Sequence, residues 1–299
     1  MGQTRSRGVE IGVLFVGQLI ASTAVVLIKL NQFHPFSLAA YRVLLAVVVL
    51  SPVFFRELRK TGNRLSWALV RPAVVPGVFL AVHFLSWNIG ARNTIAANAS
   101  LIVNMLPIFL PVVVMVLFQE RPHGFELLAT IIAIGGLLVL SVPSFRGSRE
   151  TLLGDLVSFG SMLFLAVYLA LARRNQQGTS IWLYVTPLYL VAGLVALVAA
   201  MILGAPLLQD FTTTNSLTLL GIVVGPTVLG HSAINHAMRA LPSQLVGLSQ
   251  LSQPLWAGTM GFFFLGEVPD PLFAVAAVAI VTGVIITVRG HGRLERLKS

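Results

Sequence analysis

Eight stretches of at least 18 residues contain no Asp, Glu, Lys or Arg: 11–28, 72–91, 93–119, 127–145, 175–209, 211–238, 240–266 and 271–288. About 20 apolar residues carry a helix across the hydrocarbon core of a bilayer, and no single soluble core hides so many in succession. Charged residues make up only 10% of the 299, against roughly 25% in a soluble domain. The chain therefore reads as an integral membrane protein. Membrane barrel strands would alternate apolar and polar residues. Runs such as Ile131-Ile132-Ala133-Ile134 do not, which leaves helices. Ten spans are predicted, at about 9–30, 36–55, 67–89, 94–118, 124–142, 152–172, 180–203, 216–238, 243–265 and 271–289. The stretch 11–28 is long for the apolar part of a signal peptide, and more membrane sequence follows it, so it reads as an uncleaved first helix.

The net charge of +10 is distributed by side. With the N-terminus inside, the cytoplasmic segments hold Arg5, Arg7, Arg56, Arg59, Lys60, Arg64, Arg121, Arg173, Arg174, Arg239, Arg289, Arg293, Arg296 and Lys298, whereas the external side holds Lys29, Arg92, Arg146 and Arg149. Fourteen against four is the asymmetry of the positive-inside rule, so a multi-pass protein with both termini cytoplasmic is expected. The basic tail Arg289–Lys298 then reads as an anchor at anionic lipid, not as a nucleic-acid site. The chain has no cysteine, which excludes disulfides, thiolate nucleophiles and cysteine-ligated metal. It also lacks His-Glu-x-x-His, a phosphate loop and Gly-x-Ser-x-Gly, the patterns that would point to an enzyme. No cofactor or metal is expected.

A shift of 147 residues superposes Asn88 on Asn235, Arg92 on Arg239, Pro107 on Pro254, Glu120 on Glu267, Pro122 on Pro269 and Gly136 on Gly283, without a gap. Leu101/Leu248 and Ala129/Ala276 also match. Most of these types are scarce in apolar helices, so the coincidences carry weight. The expected fold is all-α integral membrane, with ten transmembrane helices as two inverted five-helix repeats, residues 1–145 and 146–299. Five is odd, so the second half enters from the opposite side, as in many secondary transporters.

The fourth and ninth predicted helices share a pattern, Pro107…Glu120-Arg-Pro122…Gly136 and Pro254…Glu267-Val-Pro269…Gly283, and the second opens Pro35-Phe-Ser-Leu-Ala-Ala-Tyr-Arg42 with Ala46 a turn further on. With the five-plus-five architecture, the chain resembles the EamA-type transporters of the drug/metabolite transporter superfamily along nearly its whole length. The resemblance implies a bacterial inner-membrane carrier, often an exporter of amino acids or other metabolites. It also implies a central cavity lined by the first, third, fourth, sixth, eighth and ninth helices. The first helix departs from the family pattern, with Gly17-Gln18 in place of the usual Trp-Gly or Trp-Ser pair.

Polar side chains inside hydrocarbon are expensive and usually face the bundle interior. The candidate cavity residues are Gln18 and Ser22, His83 and Trp87, Asn104, His231, Gln250, Gln253 and Trp256. Pro107 and Pro254 are expected to break their helices, since each removes one internal hydrogen bond. Asn88, Asn235 and Arg42 read as structural, Arg42 by reaching to the external interface or by pairing with the end of another helix. Glu120 and Glu267 form a structural repeat pair, suited to the N-terminus of the helix that follows each. The ten acids map to loops or first turns, so the expected cargo is a small neutral or zwitterionic solute, and proton coupling would fall on His83 or His231. The expected partners are that solute and the lipid bilayer, with the chain a monomer or homodimer. A channel, or a membrane scaffold or sensor without transport, is the alternative.

Overall fold

The computed structural model describes residues 7–119, 123–146, 149–175, 180–209, 211–230, 233, 249–250 and 252–298. Among these the chain is helical, with no strand. In chain order the helices are α1 (Arg7–Leu30), α2 (Pro35–Lys60), α3 (Trp67–Asn93), α4 (Ala96–Val103), α5 (Leu106–Phe118), α6 (Gly124–Arg146), α7 (Arg149–Asn175), α8 (Ile181–Ile202) and α9 (Thr213–Ile222). A π-helix over Val223–Gly230 continues α9, and α10 (Gln253–Leu265) and α11 (Leu272–Lys298) complete the series. Six helices are long and apolar enough to cross a bilayer, and α4 with α5 makes a seventh if the bent pair is one span. Shorter apolar helices cover Gly124–Val139 and Leu272–Gly283.

Local chemistry sets several of these boundaries. Pro35 opens α2, where its missing N–H would have no partner in any case, and His34 accepts from the Phe36 N–H at 3.4 Å. Thr212 caps α9 by accepting from the Asn215 N–H. The predicted fourth span is broken. Its halves meet at Asn104 and Met105 with a bend of about 40°, and Pro107 lies in the first turn of α5. Pro107 offers no N–H to the carbonyl of Val103, so a continuous ladder is interrupted there. Pro226 likewise has no N–H to donate within the π-helix, and Thr227 Oγ1 donates to the Ile222 carbonyl at 2.8 Å.

Packing joins early helices to late ones. Helix α3 lies against α7 and α8, α2 against α8, α6 against α11, and α1 against the π-helix and α10, while α4 packs on α10 and α7. The larger core gathers residues from α1, α2, α3, α8 and the loop between α1 and α2, including Phe33, Leu38, Phe84, Trp87 and Leu188. A second core joins α4, α5, α6, α7 and α11 through Ile102, Met105, Ile108, Met162 and Ile280. At the α6–α11 contact two glycines permit close approach. A Cβ on Gly136 would lie 3.2 Å from the Ala276 carbonyl, and one on Gly283 would lie 2.9 Å from the Ala129 carbonyl. The outer surface carries apolar side chains such as Val48, Ile131, Leu138, Val198, Phe263 and Val278, a face suited to lipid and not to water.

Candidate functional site

The polar residues of α1, α4 and α10 meet in one hydrogen-bonded chain. Gln18, the twelfth of the 24 residues of α1, is fully buried. Its Nε2 donates to Ser249 Oγ at 2.8 Å, and its Oε1 accepts from Gln253 Nε2 at 2.5 Å. Gln253 Oε1 in turn accepts from Asn104 Nδ2 at 3.4 Å, and the same amide nitrogen donates to the Ser100 carbonyl at 2.8 Å. The chain thus runs Ser249–Gln18–Gln253–Asn104–Ser100, through the middle of α1, the α4–α5 break and the first residue of α10. Pro254 follows Gln253 in the first turn of α10 and Pro107 lies in the first turn of α5, just past Asn104, so two of the three amides sit beside a proline, whereas Gln18 lies in the unbroken α1. Every member is uncharged and each amide still has hydrogen-bonding capacity. Gln253 is half-buried, at the α10 edge of the chain.

The remaining predicted residues fall elsewhere. Ser22 donates to the carbonyl of Gln18 at 2.7 Å, within its own helix. Gln250 is half-buried next to the chain. The His83 Nδ1 lies 2.9 Å from the Ser161 carbonyl and 2.8 Å from Ser161 Oγ, whose hydroxyl also lies 3.0 Å from the His83 carbonyl; this joins α3 to α7. Trp87 packs into the larger core. Trp256 is 40% exposed and shares the outer side of α10 with Leu255 and Phe263, whereas Pro254, Ala257 and Gly261 form the buried stripe. The structure does not bring Trp256 to the chain. His231 and Glu120 lie outside the described residues.

Glu267 differs from its sequence reading. Asp270, not Glu267, accepts from an N–H of the following helix, that of Leu272 at 2.8 Å. Gly266, with φ +66°, ends α10 in a left-handed turn, a conformation glycine adopts without strain. Beyond that turn Glu267 Oε2 accepts from the Ala96 N–H at 2.6 Å, at the start of α4, and Oε1 pairs with Lys29 at the end of α1. One carboxylate therefore ties α10 to α1 and α4. Around the same end of the bundle, Asn31 Nδ2 donates to Thr218 Oγ1, Asn215 Oδ1 accepts from the Gln32 N–H, and Ser37 Oγ donates to the Pro206 carbonyl. Three other acids are buried near helix starts, Glu10 in α1, Glu126 in α6 and Asp155 in α7, where Thr94 Oγ1 donates to Asp155 at 2.5 Å. None lies near the middle of its helix. Among the described residues no group of three or more His, Cys, Asp or Glu could hold a metal.

The EamA-like transporter family matches residues 9–142 and again 152–289. The chain belongs to this family. It is an α-helical, multi-pass membrane transporter. The EamA match is supported by curated relatives. A protein of Archaeoglobus fulgidus named "Uncharacterized transporter" is 26% identical over 271 residues, 87% of this chain and 90% of its own. A protein of Escherichia coli K12 named "Probable amino-acid metabolite efflux pump" is 26% identical over 284 residues, 89% of each chain. A protein of known crystal structure, at 19% identity, has the same fold with a TM-score of 0.63 over 94% of this chain and 98% of that one.

Proposed function

We propose that this EamA protein is a secondary carrier that exports a small neutral or zwitterionic metabolite. It works by alternating access between two inverted five-helix halves, residues 1–145 and 146–299. The observation that carries the reading is the amide chain. Gln18 and Asn104 from the first half and Gln253 from the second meet through side-chain hydrogen bonds, at the middle of α1, the α4–α5 break and the start of α10. Interhelical bonds of this kind contribute only about 0.6 kcal/mol each to membrane-protein stability. Gluing is therefore a weak reason to place three amides there, and solute recognition a better one. An uncharged lining suits a neutral or zwitterionic solute.

Ten spans follow if α4 with α5, and α9 with the π-helix, each count as one and the shorter apolar helices α6 and α11 also cross. Two features support the inverted pairing. Gly136 rests against Ala276 while Gly283 rests against Ala129; under the shift of 147 these are the same contact made twice, once from each side. The helix neighbours also exchange under that shift: α3 on α7 corresponds to the π-helix on α1, and α1 on α10 corresponds to α7 on the α4–α5 span. The positive-inside asymmetry puts both termini in the cytoplasm of a bacterial cell and the Lys29–Glu267 pair at the external end, where it acts as the outer closure. The name of the E. coli relative supports the direction and the metabolite class.

The test is counterflow in proteoliposomes loaded with unlabelled amino acids, one at a time, and given the labelled form outside. The carrier reading expects transient, saturable accumulation for at least one solute. Flux that never saturates and shows no counterflow would instead describe a channel.

A further inference from the structure

The π-helix Val223–Gly230 carries one polar side chain, Thr227, so any hold on the segment by a side-chain hydrogen bond passes through it. Thr227 Oγ1 donates to the Ile222 carbonyl, five residues back, at 2.8 Å. The same oxygen accepts from Arg42 Nε on α2, also at 2.8 Å. Arg42 lies seven residues inside the start of α2 and is only 2% exposed. Its central carbon rests 4.4 Å from the centroid of the Phe84 ring on α3. Among the described residues Thr227 is its one hydrogen-bond partner, and the ion pairs are Lys29–Glu267 and Lys60–Glu57. A buried cation with no acid beside it is costly. What it offers in return is a charge-assisted hydrogen bond, roughly twice as strong as a neutral one, and that bond falls on a single threonine.

Two windings compete over this stretch. In α winding the Ile222 carbonyl takes the N–H four residues on, and Pro226 has none. In π winding it takes the N–H five residues on, that of Thr227. The Thr227 hydroxyl reaches the same carbonyl, whereas a threonine in an α-helix bonds back three or four residues. Arg42 fixes the hydroxyl oxygen in that place, so its bond favours the π form. The first half lacks both partners: under the shift of 147 residues Thr227 falls on Leu80 and Arg42 on Tyr189, and Leu80 lies in α3, which is α-helical throughout. The segment also runs along α1 beside the amide chain. A Cβ on Gly230 would lie 3.1 Å from the Ala21 nitrogen, three residues past Gln18. At Gly221 and Gly225 there is room, the nearest α1 atoms being 3.4 Å and 3.8 Å from such a Cβ.

We infer that Arg42 is a positioning residue for transport, which holds Val223–Gly230 in π winding through the Thr227 hydroxyl while the external end is closed, and that release of this hold lets the segment wind as an α-helix when that end opens. This rests on the carrier reading and adds a hinge to it. Losing one residue of π winding turns the chain beyond Gly230 by about 100° and shifts it by about 1.5 Å along the axis. Gly221 and Gly225 let the segment turn against α1 with no side chain in the way. Water entering the opened external end then solvates the Ile222 carbonyl and the guanidinium, so each state satisfies the groups that the bond joins.

The test is the sidedness of a single thiol. The chain has no cysteine, so Ser22→Cys, buried on α1 next to Ala21, reports how a membrane-impermeant maleimide arrives from each face of a vesicle. Thr227 is the handle, because removing the guanidinium would also disturb its packing on Phe84. Thr227→Val removes the hydroxyl at nearly constant volume and should raise the ratio of external to cytoplasmic labelling about fivefold, the factor of one net hydrogen bond. Thr227→Ala should do the same, so the outcome does not hang on one variant folding. Thr227→Ser keeps the hydroxyl and should keep the ratio. Adding Arg42→Gln to Thr227→Val should move the ratio by less than about twofold, since the guanidinium acts through the hydroxyl. A merely structural pair would lower the unfolding temperature and leave the ratio alone. An unchanged ratio in Thr227→Val and Thr227→Ala, or an equal rise in Thr227→Ser, overturns the hinge; counterflow by the unaltered protein would still uphold the carrier reading. The expected ratios in a protein that shows no counterflow would overturn the carrier reading and keep the hinge.

Discussion

Gln253 joins the two halves through its side chain, with one end on Gln18 and the other on Asn104. Replacing it with leucine removes both bonds but keeps the volume close. Since each such bond contributes only about 0.6 kcal/mol, Gln253→Leu should cost roughly 1 kcal/mol in stability while lowering transport at least tenfold. Thermal unfolding and counterflow read the two effects separately. A large stability loss with proportionate transport loss would make Gln253 a packing residue. His83 illustrates the opposite case. Its Nδ1 is engaged by Ser161, so His83→Ala should destabilise the protein by about 1 kcal/mol and leave the pH profile of uptake unchanged. A displaced profile would return His83 to the proton-coupling role its position in the sequence suggested.

At the scale of the elements, the α6–α11 contact depends on glycine at both crossings. A side chain at Gly283 meets the Ala129 carbonyl and Ile108, and overpacking of that kind costs typically 1–3 kcal/mol. Gly283→Val should therefore lower the unfolding temperature, and Gly283→Ala should do so less. Gly135, whose Cβ would meet nothing within 4 Å, is the control and should tolerate alanine. The elements were largely legible because charge is scarce in hydrocarbon: the predicted spans locate α1, α2, α3, α7 and α8 to within about five residues. Where the bilayer stops dictating, legibility ends. Helix α11 runs on to Lys298, past the predicted end at 289, because nothing in the basic tail obliges a helix to stop at the interface. The π-helix was invisible, since Pro226 marks a disturbance without specifying its register. Gln18, Asn104 and Gln253 were readable from the scarcity of amides in apolar helices. Trp256 was not, because the interruption before Pro254 resets the helical phase, and the face of α10 does not follow from the residues before it. Glu267 was misread because its partners Ala96 and Lys29 are 171 and 238 residues away, beyond any local pattern. Of the two structural readings of Arg42, reaching the external interface does not fit a side chain that is buried and bonded across to Thr227.

For the whole molecule, the central claim is that two halves exchange access to one polar chamber while the Lys29–Glu267 pair holds the external end closed. Both side chains of that pair are less than 20% exposed. A pair worth on the order of 1 kcal/mol biases the two states roughly fivefold. The absence of cysteine makes the claim directly measurable, because one introduced thiol is the only thiol present. Ser22 is the position of choice: it is one turn from Gln18, it is buried, and its hydroxyl bonds only its own helix. The measurement is the rate at which a membrane-impermeant maleimide labels Ser22→Cys in vesicles of each orientation, with and without Glu267→Gln. The account predicts labelling mainly from the cytoplasmic side, and a several-fold gain from the external side when Glu267 loses its charge. Equal labelling from both sides in the unaltered background, or labelling from neither side with or without the Glu267 change, would contradict it.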